Sequence, residues 1–243
     1  MARRTRGLHG TLVDELGRAI VLGSIAVGEV LVPEELCHQF SASRPTVREA
    51  LRVLESKGML SIRPNSGTKV QPSDKWQALD PELVWWRWEA GDRAAQEREL
   101  AQLRLAVEPV AARLAAKNSP DRVRDELGTA WEAMQTAARE HDVRAFTDAD
   151  MAFHACLLSA SGNAMFNKLS ELTAVSLEVR ETDLISHHAD ISPAAVAGHR
   201  KVYTAVRGGH SARAETAMRA LLTPLANDLE LRSARESEAD QPA

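Results

Sequence analysis

The stretch FSASRPTVREALRVLESKGMLSIRPNSGTKV, residues 40–70, decides how the first part of the chain folds. It opens with a break of small and polar residues, Ser41-Ala42-Ser43. Ser43 suits a helix N-cap because its hydroxyl can accept from an orphan amide, and Pro45 in the first turn forfeits a donor that has no partner there. Val47, Leu51 and Leu54 then line one face of a helix over 44–57, which Gly58 ends. Beyond it, LSI and TKV flank Pro64-Asn65-Ser66-Gly67, turn chemistry that predicts a small hairpin. Upstream, Leu8, Leu12, Leu16 and Ile20 recur every fourth residue and predict a helix over 7–22, and Pro33 opens a short helix with Leu36 and Phe40 inward. Helix, helix, tight turn, helix, hairpin is the order of a winged helix-turn-helix.

The outward face of the helix after Ser43 carries Arg44, Arg48 and Arg52, spaced by four and stacked in one row. A recognition helix pushes its first two turns into the major groove, where arginine forks onto guanine or clamps a phosphate. Ser43 and Thr46 add hydroxyls beside the helix N-terminus, whose free amides favour a phosphate oxygen. Lys69 and the hairpin tip are placed to touch the neighbouring backbone. The same row also reads as a solvated face pairing with Glu49 and Glu55; the surrounding helix-turn-helix and hairpin favour duplex DNA as partner.

Pro72 to Asp80 reads as a linker, so the chain divides into a DNA-binding part over 1–72, a linker over 73–80, a helical part over 81–232 and a flexible tail over 233–243. Within the helical part, segments over 80–91, 94–117, 120–141, 143–161, 163–187, 193–207 and 211–232 with short connections predict an all-α antiparallel bundle. The fold class is therefore mainly α. Four tryptophans (Trp76, Trp85, Trp86 and Trp88) crowd the junction and read either as a hydrophobic staple between domains or subunits, or as a ligand-stacking box.

In the helix over 143–161, Asp150 and His154 lie one turn apart on the stripe marked by Phe146, Phe153 and Leu157. Such a pair projects together and can hold a divalent ion, or forms an internal ion pair. His199 lies on an inward stripe with Val196, Tyr203 and Val206, as a further ligand or as a core histidine. Arg104 and Glu108 flank an apolar face of the long preceding helix and read as a surface pair or as part of a site.

Composition bounds these readings. The chain has 243 residues, 44% hydrophobic and 26% charged, which excludes disordered and fibrous classes. Cys37 and Cys156 have no metal or redox spacing, and no apolar stretch reaches membrane length, so a cytoplasmic protein with no membrane partner is expected. The net charge of −4 divides into +3 over residues 1–77 and −7 over the remainder, a basic head on an acidic body.

The stretch over 40–70 resembles the winged-helix head of the GntR family of bacterial transcription regulators. The family's S-R-x-x-V-R-E-A-L signature stands complete as Ser43, Arg44, Val47, Arg48, Glu49, Ala50 and Leu51. The resemblance implies operator contacts from Ser43, Arg44, Thr46 and Arg48 and from the wing tip at Asn65 and Gly67. Two positions depart from the family pattern: Glu34 replaces an arginine of the second helix, and Asn65 replaces the first wing glycine.

The body resembles the helical ligand-binding domain of the FadR branch, on R-x-x-x-E (Arg104, Glu108), D-x-x-F-H (Asp150, Phe153, His154), S-G-N ending at Asn163, and G-H (Gly198, His199). That likeness implies a divalent metal, zinc or similar, on Asp150, His154 and His199, and a small carboxylate effector that also meets Arg104 and Asn163. The branch's fourth metal ligand is missing, since its place is Leu221, and His187 or His188 could substitute only if their loop folded inward. Trp76, Leu79, Asp80 and LVWWRW at the junction, with the missing histidine, are most similar to repressors of galactonate operons. A homodimeric repressor released by a sugar acid is the function implied. The alternative is a small metal-dependent enzyme acting on a carboxylate, although no general base of the H-E-x-x-H kind accompanies the ligands.

Overall fold

A computed structural model describes residues 7–64, 67–91, 93–186 and 190–239. Its first unit begins with α1 (Leu8–Val21), β1 (Val30–Leu31), α2 (Pro33–Gln39) and α3 (Arg44–Ser56), followed by β2 (Leu60–Arg63) and β3 (Gly67–Val70). The Ser43 hydroxyl accepts from the Thr46 amide at 3.3 Å, so the cap read from sequence is made. Leu12, Leu16 and Ile20 of α1 meet Val47, Leu51 and Leu54 of α3 in a closed core. The expected hairpin forms with Ile62 opposite Thr68 and Arg63 opposite Gly67. It is not alone: β1 joins the far side of β3, with Val30 opposite Lys69, giving the order β1-β3-β2. Two residues are too short for alternation to register, which is why sequence periodicity missed this strand.

The stretch read as a linker is built into this unit. Ser73–Lys75 form one 3-10 turn, the indole N–H of Trp76 donates to the Gln71 carbonyl at 2.9 Å, and the Gln77 side chain donates to the Ser56 carbonyl at 2.8 Å. Asp80 then caps α4 (Pro81–Glu89) by accepting from the amides of Glu82 and Leu83. Lys57, buried at the end of α3, reaches Asp80 at 2.6 Å and Glu82 at 2.9 Å.

Trp86 of α4 enters the α1–α3 core, and its indole N–H donates to Asp14 at 2.7 Å. Only a glycine opposite it leaves room: a Cβ on Gly17 would lie 2.4 Å from the ring. Arg18 and Glu89 close the far end of α4. The two compact units accordingly divide after Arg93, rather than within 73–80. The tryptophans near the junction staple α4 to the winged head itself; Trp76 and Trp85 pack against the same core.

The second unit is helical throughout: α5 (Arg93–Asn118), α6 (Asp121–Glu140), α7 (Val143–Ala160), α8 (Ala164–Lys168), α9 (Ser170–Ser186), α10 (Pro193–Arg207) and α11 (Ser211–Ala239). Alanines on α5 (Ala112, Ala115 and Ala116) let helices approach closely around Met134, Phe153, Leu157, Val202 and Met218. The single helix expected over 163–187 is broken at Leu169, where the Ser170 hydroxyl donates to the Asn167 carbonyl at 2.8 Å. The helix expected to end at 232 runs on to Ala239, through part of the stretch read as a flexible tail. No helix among the described residues is long and apolar enough to cross a membrane.

Candidate DNA-reading surface and metal-binding cluster

Arg44, Arg48 and Arg52 stand exposed along α3. Arg52 donates to Glu49 at 3.1 Å, and Arg44 lies 3.7 Å from Glu34, the acid that departs from the family pattern. Exposed pairs of this kind are worth about 0–1 kcal/mol and yield readily to a phosphate or a base edge. Arg48, between them, has no partner among the described residues. Glu55 is not part of this row, because its carboxylate accepts from the Ile62 amide at 2.8 Å and ties α3 to the wing. Thr46 and Ser43 share a hydroxyl hydrogen bond at 2.8 Å beside the amides of the α3 N-terminus. Gly67 opens β3 with φ of 69°, a conformation that suits glycine, and Lys69 is exposed on the same strand. Asn65 lies outside the described residues, as do His187 and His188.

In the second unit, α5, α7 and α10 bring Arg104, Glu108, Asp150, His154 and His199 into one buried cluster. The Asp150 Oδ1 atom lies 2.9 Å from His199 Nε2 and 3.1 Å from His154 Nε2, and those two nitrogens are 3.3 Å apart. Each imidazole is oriented from its far side. His199 Nδ1 faces the Ala195 carbonyl at 2.8 Å, and His154 Nδ1 faces Glu108 Oε2 at 2.6 Å. A proton held on each Nδ1 leaves both Nε2 lone pairs aimed at the carboxylate oxygen, the outer-sphere arrangement that readies histidine for a metal.

Three acceptors so close repel one another unless a cation lies between them. Donors about 2.1 Å from one ion are separated by about 3.0 Å at right angles and about 3.4 Å at tetrahedral angles, and the three spacings here run from 2.9 to 3.3 Å. With both Nε2 atoms unprotonated, Asp150 Oδ1 is left buried without a hydrogen bond. The donor set therefore fits a divalent ion, with three protein ligands. Leu221, the position that the resemblance gives to a fourth ligand, leans over α10, its Cδ1 only 2.6 Å from where a Cβ of Gly198 would stand.

Arg104 and Glu108 are not a surface pair; both are buried, with Arg104 Nε donating to Glu108 at 2.8 Å. One Nη2 of Arg104 also reaches His154 Nε2 at 3.1 Å, and the Thr173 hydroxyl donates to Glu108 at 3.3 Å. Burial alone would push the Glu108 carboxyl up, but the charges of Arg104 and His154 outweigh it and hold it at about 2. Burial likewise opposes the Asp150 carboxylate, and His199 and His154 still keep it well below its usual range. For His154, burial disfavours the charged ring, yet facing Glu108 raises its proton affinity against the opposition of Arg104. Arg104, Glu108 and Thr173 also line a small cleft otherwise walled by Val107 and leucines, including Leu100, Leu103 and Leu172. Asn163 is not drawn into the cluster: its side chain caps α8 by accepting from the Met165 amide at 2.9 Å.

Residues 8–70 match the model of the bacterial regulatory proteins of the gntR family, and residues 99–223 match the FCD domain. The helix-turn-helix-type transcriptional regulator YieP of Escherichia coli K12 is 32% identical over 69% of this chain and 73% of its own length. The chain is a gntR-family regulator.

The galactonate operon transcriptional repressor of the same organism is 28% identical over 85% of this chain and 90% of its own. A solved structure of Lar, which controls expression of the agr system of Listeria monocytogenes, agrees in fold alone, at 17% identity and a TM-score of 0.59 over 94% of this chain and 99% of that one. These matches place the gntR-family head on α1–β3 and the FCD domain on the helices that carry the acid–histidine cluster. They are regulators and not enzymes, so the metal-dependent enzyme considered from sequence is set aside.

Proposed function

We propose that this gntR-family regulator is a homodimeric repressor that binds operator DNA through α3 and the wing and is released by a sugar acid, an aldonate such as galactonate. The observation that carries the DNA assignment is Arg48, exposed in the second turn of α3 with no partner among the described residues, between Arg44 and Arg52 on one face. Ser43, Arg44, Thr46 and Arg48 make the operator contacts, with Gly67 and Asn65 at the wing. Two copies about a two-fold axis meet the two halves of an inverted repeat.

Asp150, His154 and His199 hold a divalent ion such as zinc, which supplies a Lewis-acidic charge for an acidic oxygen of the effector. With His154 Nε2 given to such an ion, Arg104 would keep Nε on Glu108 and have Nη2 free to face the effector. Arg104 and Glu108 lie on α5, the helix that follows the head unit along the chain. The galactonate operon repressor of E. coli, similar along most of both chains, supports the choice of a sugar acid. A role for Asn163 requires it to leave its cap on α8, so it is a contact only in the effector-bound state.

Retardation of the chain's own upstream DNA in a gel, repeated with a panel of aldonates and with a chelator, tests this reading. Retention that one aldonate abolishes, and that a chelator makes insensitive to it, supports the reading. A dimer that ignores duplex DNA at low salt overturns it.

A further inference from the structure

Arg180 of α9 plays no part in the cluster as sequence reasoning drew it. The ion pair of Arg144 with Glu181, 3.3 Å, joins the start of α7 to the end of α9, while Thr173 at the start of α9 reaches Glu108. The two helices thus run antiparallel, and Arg180, two turns beyond Thr173 on the same stripe and next to Glu181, faces the first half of α7, in which Asp150 lies. Glu181, its neighbour, is already taken by Arg144. Among the described residues Arg180 has no hydrogen bond or ion pair, although it is largely enclosed. Its surroundings register on its basicity: burial lowers it, the Asp150 charge opposes that, and Arg104 adds to it.

An enclosed guanidinium without a partner is costly, and the cost is recovered when an anion arrives. Arg104 keeps Nε committed to Glu108 even where a metal takes His154 Nε2 from its Nη2, so it has only part of its fork to give. Among the described residues nothing takes the fork of Arg180, whose geometry matches a carboxylate with two parallel hydrogen bonds.

We propose that Arg180 is the principal carboxylate anchor of the effector, gripping it on the α9 side of Asp150 while the rest of the molecule extends over the cluster. This deepens the effector reading above and rests on it. The ligand class follows from the chemistry: a small organic acid whose carboxylate is indispensable and whose neutral polyol counterpart does not bind.

The test titrates D-galactonate, D-gluconate and the neutral polyol galactitol into the zinc-loaded full-length protein, followed by calorimetry and thermal shift. Arg180→Met and Arg180→Lys are compared with wild type. Losing charge-assisted hydrogen bonds to the carboxylate is expected to weaken acid binding roughly 10- to 150-fold in Arg180→Met. Arg180→Lys should fall between, because lysine keeps the charge but not the fork. Zinc content and operator retardation stay at wild-type levels in both variants, and galactitol binds none of the three proteins.

Binding of the acid by Arg180→Met within threefold of wild type overturns the proposal. So does a parallel loss of zinc or of operator binding, which marks a structural role instead. A wild-type protein stabilised by neither acid overturns the anchor together with the effector class. Stabilisation by gluconate alone, lost in Arg180→Met, overturns only the choice of galactonate.

Discussion

Trp86 sits on the far side of a stretch that reads as a linker, yet its ring is 1% exposed inside the winged head. Trp86→Ala separates the two assignments. Truncating a buried tryptophan costs about 3–5 kcal/mol. The lost indole donor leaves Asp14 still paired with Arg18 at 3.1 Å, so little is added for an orphaned carboxylate. At about 1.4 kcal/mol per factor of ten, this is roughly a 150- to 5000-fold rise in the opening equilibrium. The loss should fall on the unit that owns the residue. Native-state hydrogen exchange read by mass spectrometry is the assay, comparing amides of α1 and α3 with those of α7. Protection should collapse in α1 and α3 and stay at wild-type values in α7. Gly17→Ala, which drives a Cβ into the same ring, should act in the same place by about 1–3 kcal/mol. Deprotection of α7 with α1 and α3 unchanged would refute the assignment of α4 to the head.

Three further outcomes are expected. Arg48→Ala should weaken operator binding by about 1–3 kcal/mol with an unaltered circular dichroism spectrum, and unchanged DNA affinity would remove α3 from the interface. The raised proton affinity of His154 fixes the sign of a pH dependence: its protonated form supports the metal-free fold below about 6.5, and that support is lost as pH rises through its higher native value. Melting of the metal-free protein should therefore fall from pH 6 to pH 8 while the increment added by zinc grows, since the ion needs the ring deprotonated; a zinc increment flat across that range would show that His154 is not a ligand. Leu221→His places an imidazole over Gly198 beside His199, and should keep zinc at chelator concentrations that strip the wild type; equal loss from both would mean that the side chain at 221 does not reach the cluster.

The head was legible because its signals are local. A serine cap, a proline in the first turn, a fourfold leucine repeat and a proline–glycine turn each act within a few residues. What escaped was set by distance. Nothing near Trp86 says that its ring fills the gap left by Gly17, so proline-flanked chain was taken for a boundary. Asp150 and His154 were found because one helical turn joins them, and His199 because its stripe faces inward. Arg104 and Glu108 have the same spacing as a solvent-exposed pair; only α7 and α9, packed over them, bury the two charges. Arg180 was invisible for a related reason. Glu178 and Glu181 stand within three residues of it, and sequence alone cannot tell that Glu181 is committed to Arg144 across the helices.

The charge balance of the cluster bears on why a sensor would be built this way. With both imidazoles neutral, Asp150 and Glu108 offset Arg104 and Arg180, so the buried set carries no net charge and the fold tolerates it. A divalent ion on Asp150, His154 and His199 leaves two positive charges in excess in a place where water cannot screen them. On the proposed reading, an effector carboxylate would offset one of these, and Arg180 would direct where it lies. Loading with metal and binding of an acid are then coupled by electrostatics, each raising affinity for the other by the same factor. Leu221 would strengthen that coupling, because an ion held by only three protein donors would leave room for an oxygen of the effector that an imidazole at 221 would take.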